Sequence, residues 1–467
     1  MANYKFFRSP QQVQPVSTIF RTINTKLPTE TALATIASLD TYESRSMHGQ
    51  LPIVWDEASN FSIFDSEGNK WIDFTSTIFV ANVGHSNKLV SERVKEVIDK
   101  NLIASYAYST KIRAEYCKRL VEFAGSNFEK VFLLSAGTEA TEAAVKLMKL
   151  NGKKIGKKKN LVLAISGNWH GRTMAAQLLS DNKSQKDWIS EENDETVHIP
   201  FPYPWEVSDN KAEDFLNDSL LALSARGIDI GTDISGIMLE TFQGWGAFFY
   251  PTNFVKKLRD ICDSHGILLC FDEMQAGFGR TGKRFGYEHY GVKADLICCG
   301  KGMGGGFPVS GVIGKAEIMD LPDVGNMSST HSGNPIVCAA GIAVLDELEN
   351  RNLISESARK GEILHKALNE LKNEFPNLIS AIYGKGLVAS VVFDKSYATD
   401  LNSIVSRVVE VCYQKGLLVV HTGRESIKIG PPLTIEDGAI HEGISVMRES
   451  ILQIISKELS TKSSGIE

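Results

Sequence analysis

ILLCFDEMQAGFGRTGKRFGYEHYGVKADLICCGKGMGGGFPVSG, residues 267–311, contains two apolar runs that each deliver a charged group. The first, ILLCFD, ends on Asp272, and the second, DLICCG (295–300), leads straight into Lys301. Short, continuous apolar runs of this kind read as strands buried on both faces of a parallel sheet. Further runs of the same texture are KVFLL (130–134), LVLAIS (161–166), GIMLE (236–240) and PVSGVIG (308–314), with helix-like segments between them. That alternation predicts an α/β domain whose central sheet is mostly parallel. The clearest connector is a helix over 138–150, with Ala140, Ala143, Ala144, Leu147 and Met148 on one stripe and Gly152 as its expected stop. Beyond residue 336 the texture changes to long amphipathic segments separated by short strands such as LVASVVF and LLVVH. The expected division is an N-terminal segment 1–60, a large domain 61–335, and a C-terminal part 336–467 that forms a smaller α+β domain with the N-terminal segment.

Bulk composition excludes several classes. The chain has 467 residues, 43% apolar and 23% charged, which predicts a compact protein of two or three domains, or of one large domain with an appendage. Net charge is −6, and the densest basic run, Lys153–Lys159 (KKIGKKK), has no basic or aromatic companions, so it reads as a solvated loop and no nucleic-acid partner is expected. No apolar stretch reaches the ~18–20 residues of a membrane span. The N-terminal MANYKFFRSPQQ lacks the apolar core of a secretion signal and reads as an ordered arm, so the expected location is cytoplasmic. Seven cysteines without a CxxC pair sit mostly inside apolar runs, which predicts reduced, buried thiols and neither a disulfide framework nor a metal site.

The chemistry-bearing residues gather at predicted strand ends. Lys301 leaves the carboxyl end of its strand, the edge where open α/β sheets hold ligands, and Gly302, Gly304, Gly305 and Gly306 permit close approach. A desolvated lysine can act as an amine nucleophile toward a carbonyl. A lysine in a Gly-rich loop is by itself a surface residue more often than not, so its companions decide. Asp272 either caps the following turn or faces the crevice, where a carboxylate would keep the pyridine nitrogen of pyridoxal 5'-phosphate (PLP) protonated. SAGTEATEAA (135–144) starts a helix near Gly137 and Thr138, whose free N–H groups and hydroxyl suit a phosphate. GNWHGRT (167–173) brings Trp169, with a face that can stack on a flat ring, and His170 beside it.

In this order, SAGTEA, NWHGRT, LETFQGWGA, FDEMQAGFGRTG, GKGMGGGFPVSG and THSGNP resemble the class III aminotransferases, PLP enzymes of fold type I, over roughly residues 60–450. The resemblance implies Lys301 as the Schiff-base lysine and proton shuttle, Asp272 on the ring nitrogen, and Gln275 near the ring's 3-hydroxyl. It implies Gly137 and Thr138 on the phosphate, Trp169 stacked on the ring, His170 among the cofactor contacts, and Glu240 behind the site. Thr330 would reach the phosphate in a neighbouring subunit, making a homodimer with shared active sites the minimal unit, alone or within a tetramer. The implied reaction moves an amino group between an amine or amino acid and a keto acid or aldehyde. A lyase that eliminates ammonia or phosphate, or an aminomutase, is the alternative on the same scaffold.

Two positions depart from the pattern. Members that use glutamate and 2-oxoglutarate carry an Arg just before an APPL-like segment and a Glu in the segment aligned with QGWGA; here these are Lys428 and Trp245. Lysine lacks the planar two-pronged match to a carboxylate, so a standard glutamate donor is not expected. Trp245 walls a pocket for a bulkier substrate or serves as a core aromatic, and Arg424 is a candidate substitute clamp or an exposed loop residue. Ile78 and Phe79 resemble the segment lining the substrate entrance, against a plain reading as core β residues. GFGRTGK (277–283) has the glycine and lysine spacing of a phosphate-binding loop, but Arg284 follows where a magnesium-ligating Ser or Thr is required, which removes that reading.

Overall fold

The computed structural model describes residues 4–189 and 195–463. The chain forms two compact units: the larger holds Lys88–Gly244 and Phe248–Ser355, the smaller Met1–Asn87, Trp245–Ala247 and Glu356–Glu467.

The larger unit is built on a seven-stranded sheet. In chain order its strands are β1 (Lys130–Leu134), β2 (Leu161–Ile165), β3 (Thr196–Ile199), β4 (Ile234–Glu240), β5 (Leu268–Asp272), β6 (Leu296–Cys299) and β7 (Ser310–Gly314). Their spatial order is β1-β7-β6-β5-β4-β2-β3. Only β7 is antiparallel to its neighbours, so the other six carboxyl ends share one edge. Every residue of β2, β4, β5 and β6 is buried, as their unbroken apolar texture requires. The apolar runs read from sequence thus coincide with strands, and the mostly parallel α/β sheet is as expected. The helix α1 (Gly137–Lys154) lays Ala140, Ala144, Leu147 and Met148 onto this sheet in one core with Val162, Met238 and Cys270.

Gly152 does not stop α1; it is buried two residues before the helix ends. A Cβ there would sit 2.4 Å from the Cβ of Ser235, so the glycine allows close packing, and the turn comes instead at Gly156 with φ +80. The basic run is less solvated than its composition implied, because Lys157 Nζ donates to the carbonyls of Gly231 and His265 at 2.5 and 2.8 Å.

The smaller unit contains two sheets. One joins Val16–Ser17, Thr22–Ile23, Glu57–Ser59, Ser62–Phe64 and Lys70–Asp73, with Leu417–Leu418 added parallel to Lys70–Asp73. The other is the antiparallel set Ile379–Lys385, Val388–Phe393, Ser426–Ile429 and Val420–His421. Trp71 stacks on Tyr413 with centroids 5.8 Å apart and donates its indole N–H to the Tyr413 carbonyl at 2.8 Å, closing a core with Ile23, Leu27, Ile63 and Leu418. The unit boundaries therefore fall at 87 and 355, not at the 60 and 335 read from sequence. Strand pairing draws 61–87 into the smaller unit, and Pro335–Asn350 packs as a helix against Lys88–Asp99 and Lys111–Ala124 in the larger.

Candidate active site

Three central strands end side by side. Asp272 pairs in register with Glu240 on one flank and Cys298 on the other, and Lys301 follows Cys298 by one short step through Cys299 and Gly300. A cavity of about 280 Å³ opens here, lined by Lys301, Asp272, Glu240, Gln275, Trp169 and His170, with Gly137, Thr138, Gly171 and Met274 completing it. Nine residues read from sequence as cofactor contacts thus lie apart from one exception in a single cavity; Thr330 is the exception, exposed on a separate groove beside Glu139 and Thr173.

Lys301 adopts φ +44, a left-handed backbone that costs a non-glycine residue on the order of 1–3 kcal/mol and persists where the surroundings over-determine it. Burial pushes its ammonium pKa down, against the pull of Asp272 and Glu240. Burial wins, which favours the free amine.

Asp272 both caps the turn that follows it and lines the cavity. Its Oδ1 accepts the Met274 N–H at 3.0 Å, capping the turn, while Oδ2 faces His170 Nδ1 at 2.8 Å. The carboxylate accepts, so Nδ1 carries the hydrogen. His170 is fixed from behind: its N–H reaches Ser180 Oγ at 2.8 Å and its carbonyl accepts from Thr141 Oγ1 at 2.9 Å. Its Nε2 is buried without a hydrogen bond among the described residues. The sequence pointed to His170 as a cofactor contact; the pairing with Asp272 joins residues 102 apart and had no sequence signal.

Glu240 ties the surrounding turns together. Its Oε2 accepts the N–H groups of Trp169 and Gly244 at 3.0 and 3.2 Å, and Oε1 accepts Gln275 Nε2 at 3.3 Å. These donors favour the anion, yet burial outweighs them and raises the pKa to about 7. Glu273, held by the N–H groups of Gly286 and Tyr287 at 2.7 and 2.8 Å and by Thr241, is raised to about 7 by the same cause. A carboxyl whose folded pKa exceeds its unfolded value holds an extra proton in the folded state between the two, so stability falls as pH rises through that window. In the cofactor-free chain, unfolding free energy is therefore expected to fall between about pH 4.5 and 7, at up to ~1.4 kcal/mol per pH unit for each group. Urea titrations across this range should give a shallower slope for Glu240→Gln; identical slopes would contradict the assignment.

At the end of the cavity where α1 starts, Glu139 Oε2 accepts the N–H groups of Ser135 and Ala136 at 2.8 and 3.1 Å, leaving those of Gly137 and Thr138 as the first donors of α1. Thr138 Oγ1 lies 2.6 Å from Thr173 Oγ1. Gly171, at φ +142, crosses so close that a Cβ would meet Thr138 Oγ1 at 2.5 Å. Trp169 carries the Arg172 guanidinium 4.5 Å from its ring centroid.

The substrate-side candidates lie in the smaller unit. Arg424 is exposed and stacks on Trp245 at 3.9 Å, and it makes no ion pair among the described residues. Ser426 Oγ donates to the Trp245 carbonyl at 3.0 Å. Lys428 is buried on the strand Ser426–Ile429 with Nζ 5.1 Å from the Phe79 ring. Ile78 and Phe79 are not β residues: Ser76, Thr77, Ile78 and Phe79 have φ of 48, 53, 57 and 68, one turn of left-handed helix. That conformation costs roughly 1–2 kcal/mol per residue. Asp73 Oδ1 holds its start by accepting both the N–H and the hydroxyl of Thr75 at 2.7 and 2.6 Å, and Ser76 Oγ donates to the Gly430 carbonyl at 2.6 Å. Phe79 is buried and Ile78 is 38% exposed.

A lysine and two carboxylates at one edge of a parallel sheet, with a helix start opposite, define an α/β enzyme equipped for amine chemistry. Residues 43–451 match the sequence profile described as aminotransferase class-III. An acetylornithine aminotransferase of Synechocystis sp. is 30% identical over 424 residues, covering 90% of this chain and 94% of its own. A leucine/methionine racemase of Thermococcus litoralis is 31% identical over 86% of this chain and 91% of its own. Among solved structures, the ornithine aminotransferase of Toxoplasma gondii with partial occupancy of PLP at its active site shares the fold, with TM-score 0.80 and 24% identity over 92% of this chain and 96% of its own. The chain belongs to the class III aminotransferases. It is a PLP-dependent transaminase of fold type I, moving an amino group between an amine or amino acid and a keto acid or aldehyde.

Proposed function

We propose that Lys301 is the amine that joins PLP covalently, and that Asp272, backed by His170, holds the ring nitrogen. The carrying observation is the alignment of Glu240, Asp272 and Lys301 around one cavity, with the His170–Asp272 pair at 2.8 Å. The residues suit PLP on their own chemistry: a buried acid for a pyridinium, helix-start N–H groups for a phosphate, an indole for a flat ring, and a buried His170 Nε2 with bonding capacity to spare. When bound, PLP supplies an aldehyde carbon and an electron-withdrawing ring.

In this reading Lys301, with its lowered pKa, would be the base that takes and returns a proton at the substrate's α-carbon. His170 Nδ1–H and the Met274 N–H both donate to Asp272 and so fix the orientation of its carboxylate. Gln275 would sit by the 3-hydroxyl and Gly137 and Thr138 would take the phosphate, while Glu240 keeps the backbone of Trp169 in place through its N–H. Thr330, outside this cavity in its own chain, serves the phosphate of a neighbouring subunit, which makes the working unit a homodimer. No helix among the described residues is long and apolar enough to cross a membrane, in keeping with the proposed cytoplasmic location.

On the substrate side, Lys428 and Trp245 in place of Arg and Glu argue against glutamate as the preferred donor, and Arg424, parked on Trp245, is the carboxylate clamp. Turnover with 2-oxoglutarate is expected to be poor and to rise about tenfold in Lys428→Arg, the gain of a second parallel hydrogen bond. Efficient wild-type use of 2-oxoglutarate that ignores the substitution contradicts this. The racemase among the relatives makes the outcome of the first proton transfer worth testing directly. Single turnover with a panel of amines should give the pyridoxamine form and a carbonyl product; ammonia or phosphate release without that form would point to elimination.

A further inference from the structure

His170 orients Asp272 Oδ2, and His170 is itself held at both ends of its backbone. Ser180 Oγ accepts its N–H at 2.8 Å and gives its own proton to the Ala176 carbonyl at 2.8 Å, while Thr141 Oγ1 lies 2.9 Å from its carbonyl. Thr141 Oγ1 also lies 3.3 Å from the Gly137 carbonyl, one turn back in its own helix. A hydroxyl has a single proton to donate, and the shorter contact takes it. Thr141 and Ser180 are wholly buried, His170 is 3% exposed and Asp272 4%, so water cannot stand in for either hydroxyl.

These two bonds belong to a wider polar seam. Thr138, Thr141 and Glu142 are spaced i, i+3 and i+4, and so share one face of α1. Thr138 Oγ1 meets the Thr173 hydroxyl at 2.6 Å, Thr141 takes the His170 carbonyl, and Glu142 Oε1 accepts the N–H groups of Ala175 and Ala176 at 2.9 and 3.3 Å. Gly171, at φ +142, lets the chain run this close, because a Cβ there would lie 2.5 Å from Thr138 Oγ1 and 2.9 Å from the Ala176 Cβ. Threonine is a weaker helix former than the alanines around it, and here its hydroxyl serves a group outside its helix. Within the larger unit, the start of α1 therefore fixes the backbone of His170, whose ring meets Asp272 Oδ2 at 2.8 Å.

We propose that Thr141 and Ser180 are positioning residues for the amino transfer: by holding the backbone of His170 they set the angle at which its ring meets Asp272. Their effect on the reaction rests on the role proposed above for Asp272; the hold on His170 does not.

Two measurements separate these. In the full chain freed of cofactor and carrying ¹⁵N-labelled histidine, the Nδ1–H of His170, assigned by its loss in His170→Gln, reads the hold directly. Its exchange with water is expected to quicken about fivefold or more in Thr141→Val and in Ser180→Ala, the factor that one net hydrogen bond carries. Thr141→Ser, which keeps the hydroxyl, should exchange at the wild-type rate. In the holoenzyme, Thr141→Val should lower kcat about tenfold with little change in the amine KM, inside the ~10²-fold that a misplacement of about 1 Å costs, and Thr141→Ser should recover it. In an Asp272→Asn background the same valine change should cost less than about twofold, because residues that act through one another are not additive. Wild-type exchange in both Thr141→Val and Ser180→Ala overturns the hold. An equal loss of kcat in both backgrounds, or a loss that Thr141→Ser does not recover, overturns the action through Asp272. If Asp272→Asn itself turns over normally, the proposed function fails instead, and the exchange rates still decide the hold on His170.

Discussion

Lys301→Ala is expected to lower turnover by about 10⁴-fold or more, because one substitution removes both the proposed covalent attachment and the proposed proton carrier. The fold should survive. Alanine keeps a Cβ at φ +44 and so neither relieves nor adds backbone strain, and it removes an amine whose charged form burial disfavours. The melting temperature of the cofactor-free chain is expected to stay within a few degrees of wild type, since ~1 kcal/mol moves a domain of this size by about 2–4 °C. Full turnover in the variant, measured with any competent amine pair, would remove Lys301 from the reaction.

Asp272→Asn should cost about 10²–10³-fold in kcat, the scale of losing one preorganised electrostatic group in a water-excluded site. The amide retains an oxygen for the Met274 N–H, so the turn cap remains, but the negative charge opposite His170 Nδ1 and the proposed ring nitrogen is gone. The loss should therefore fall on kcat more than on the affinity for amine. A variant with normal kcat and a raised KM would show that Asp272 serves binding and not the electronic demand of the reaction.

Much of the larger unit was legible because its strands are buried on both faces and spell themselves out: KVFLL is β1 residue for residue, and ILLCFD and LICC bracket β5 and β6. The same pattern located Asp272 and Lys301 at strand ends. What the string could not show is what meets across it. The His170–Asp272 pair joins two strand-end turns, and Glu240 binds two backbone N–H groups through a carboxylate that pattern alone marks only as the end of a strand. Gly152 misled because a glycine required for close packing and one required for a left-handed turn look alike in sequence. The turn at Ser76–Phe79 left no trace at all: TSTIF has β propensity, and tertiary contacts through Asp73 and Gly430 override it. The domain boundaries slipped for the same reason, since the pairing of Leu417–Leu418 with Lys70–Asp73 spans most of the chain.

The placement of the covalent bond can be read directly. Borohydride reduction of the holoenzyme followed by peptide mapping should put the mass of reduced PLP on the peptide carrying Lys301 and on no other lysine. Recovery of that peptide unmodified, with the cofactor's mass elsewhere or lost, would contradict the account.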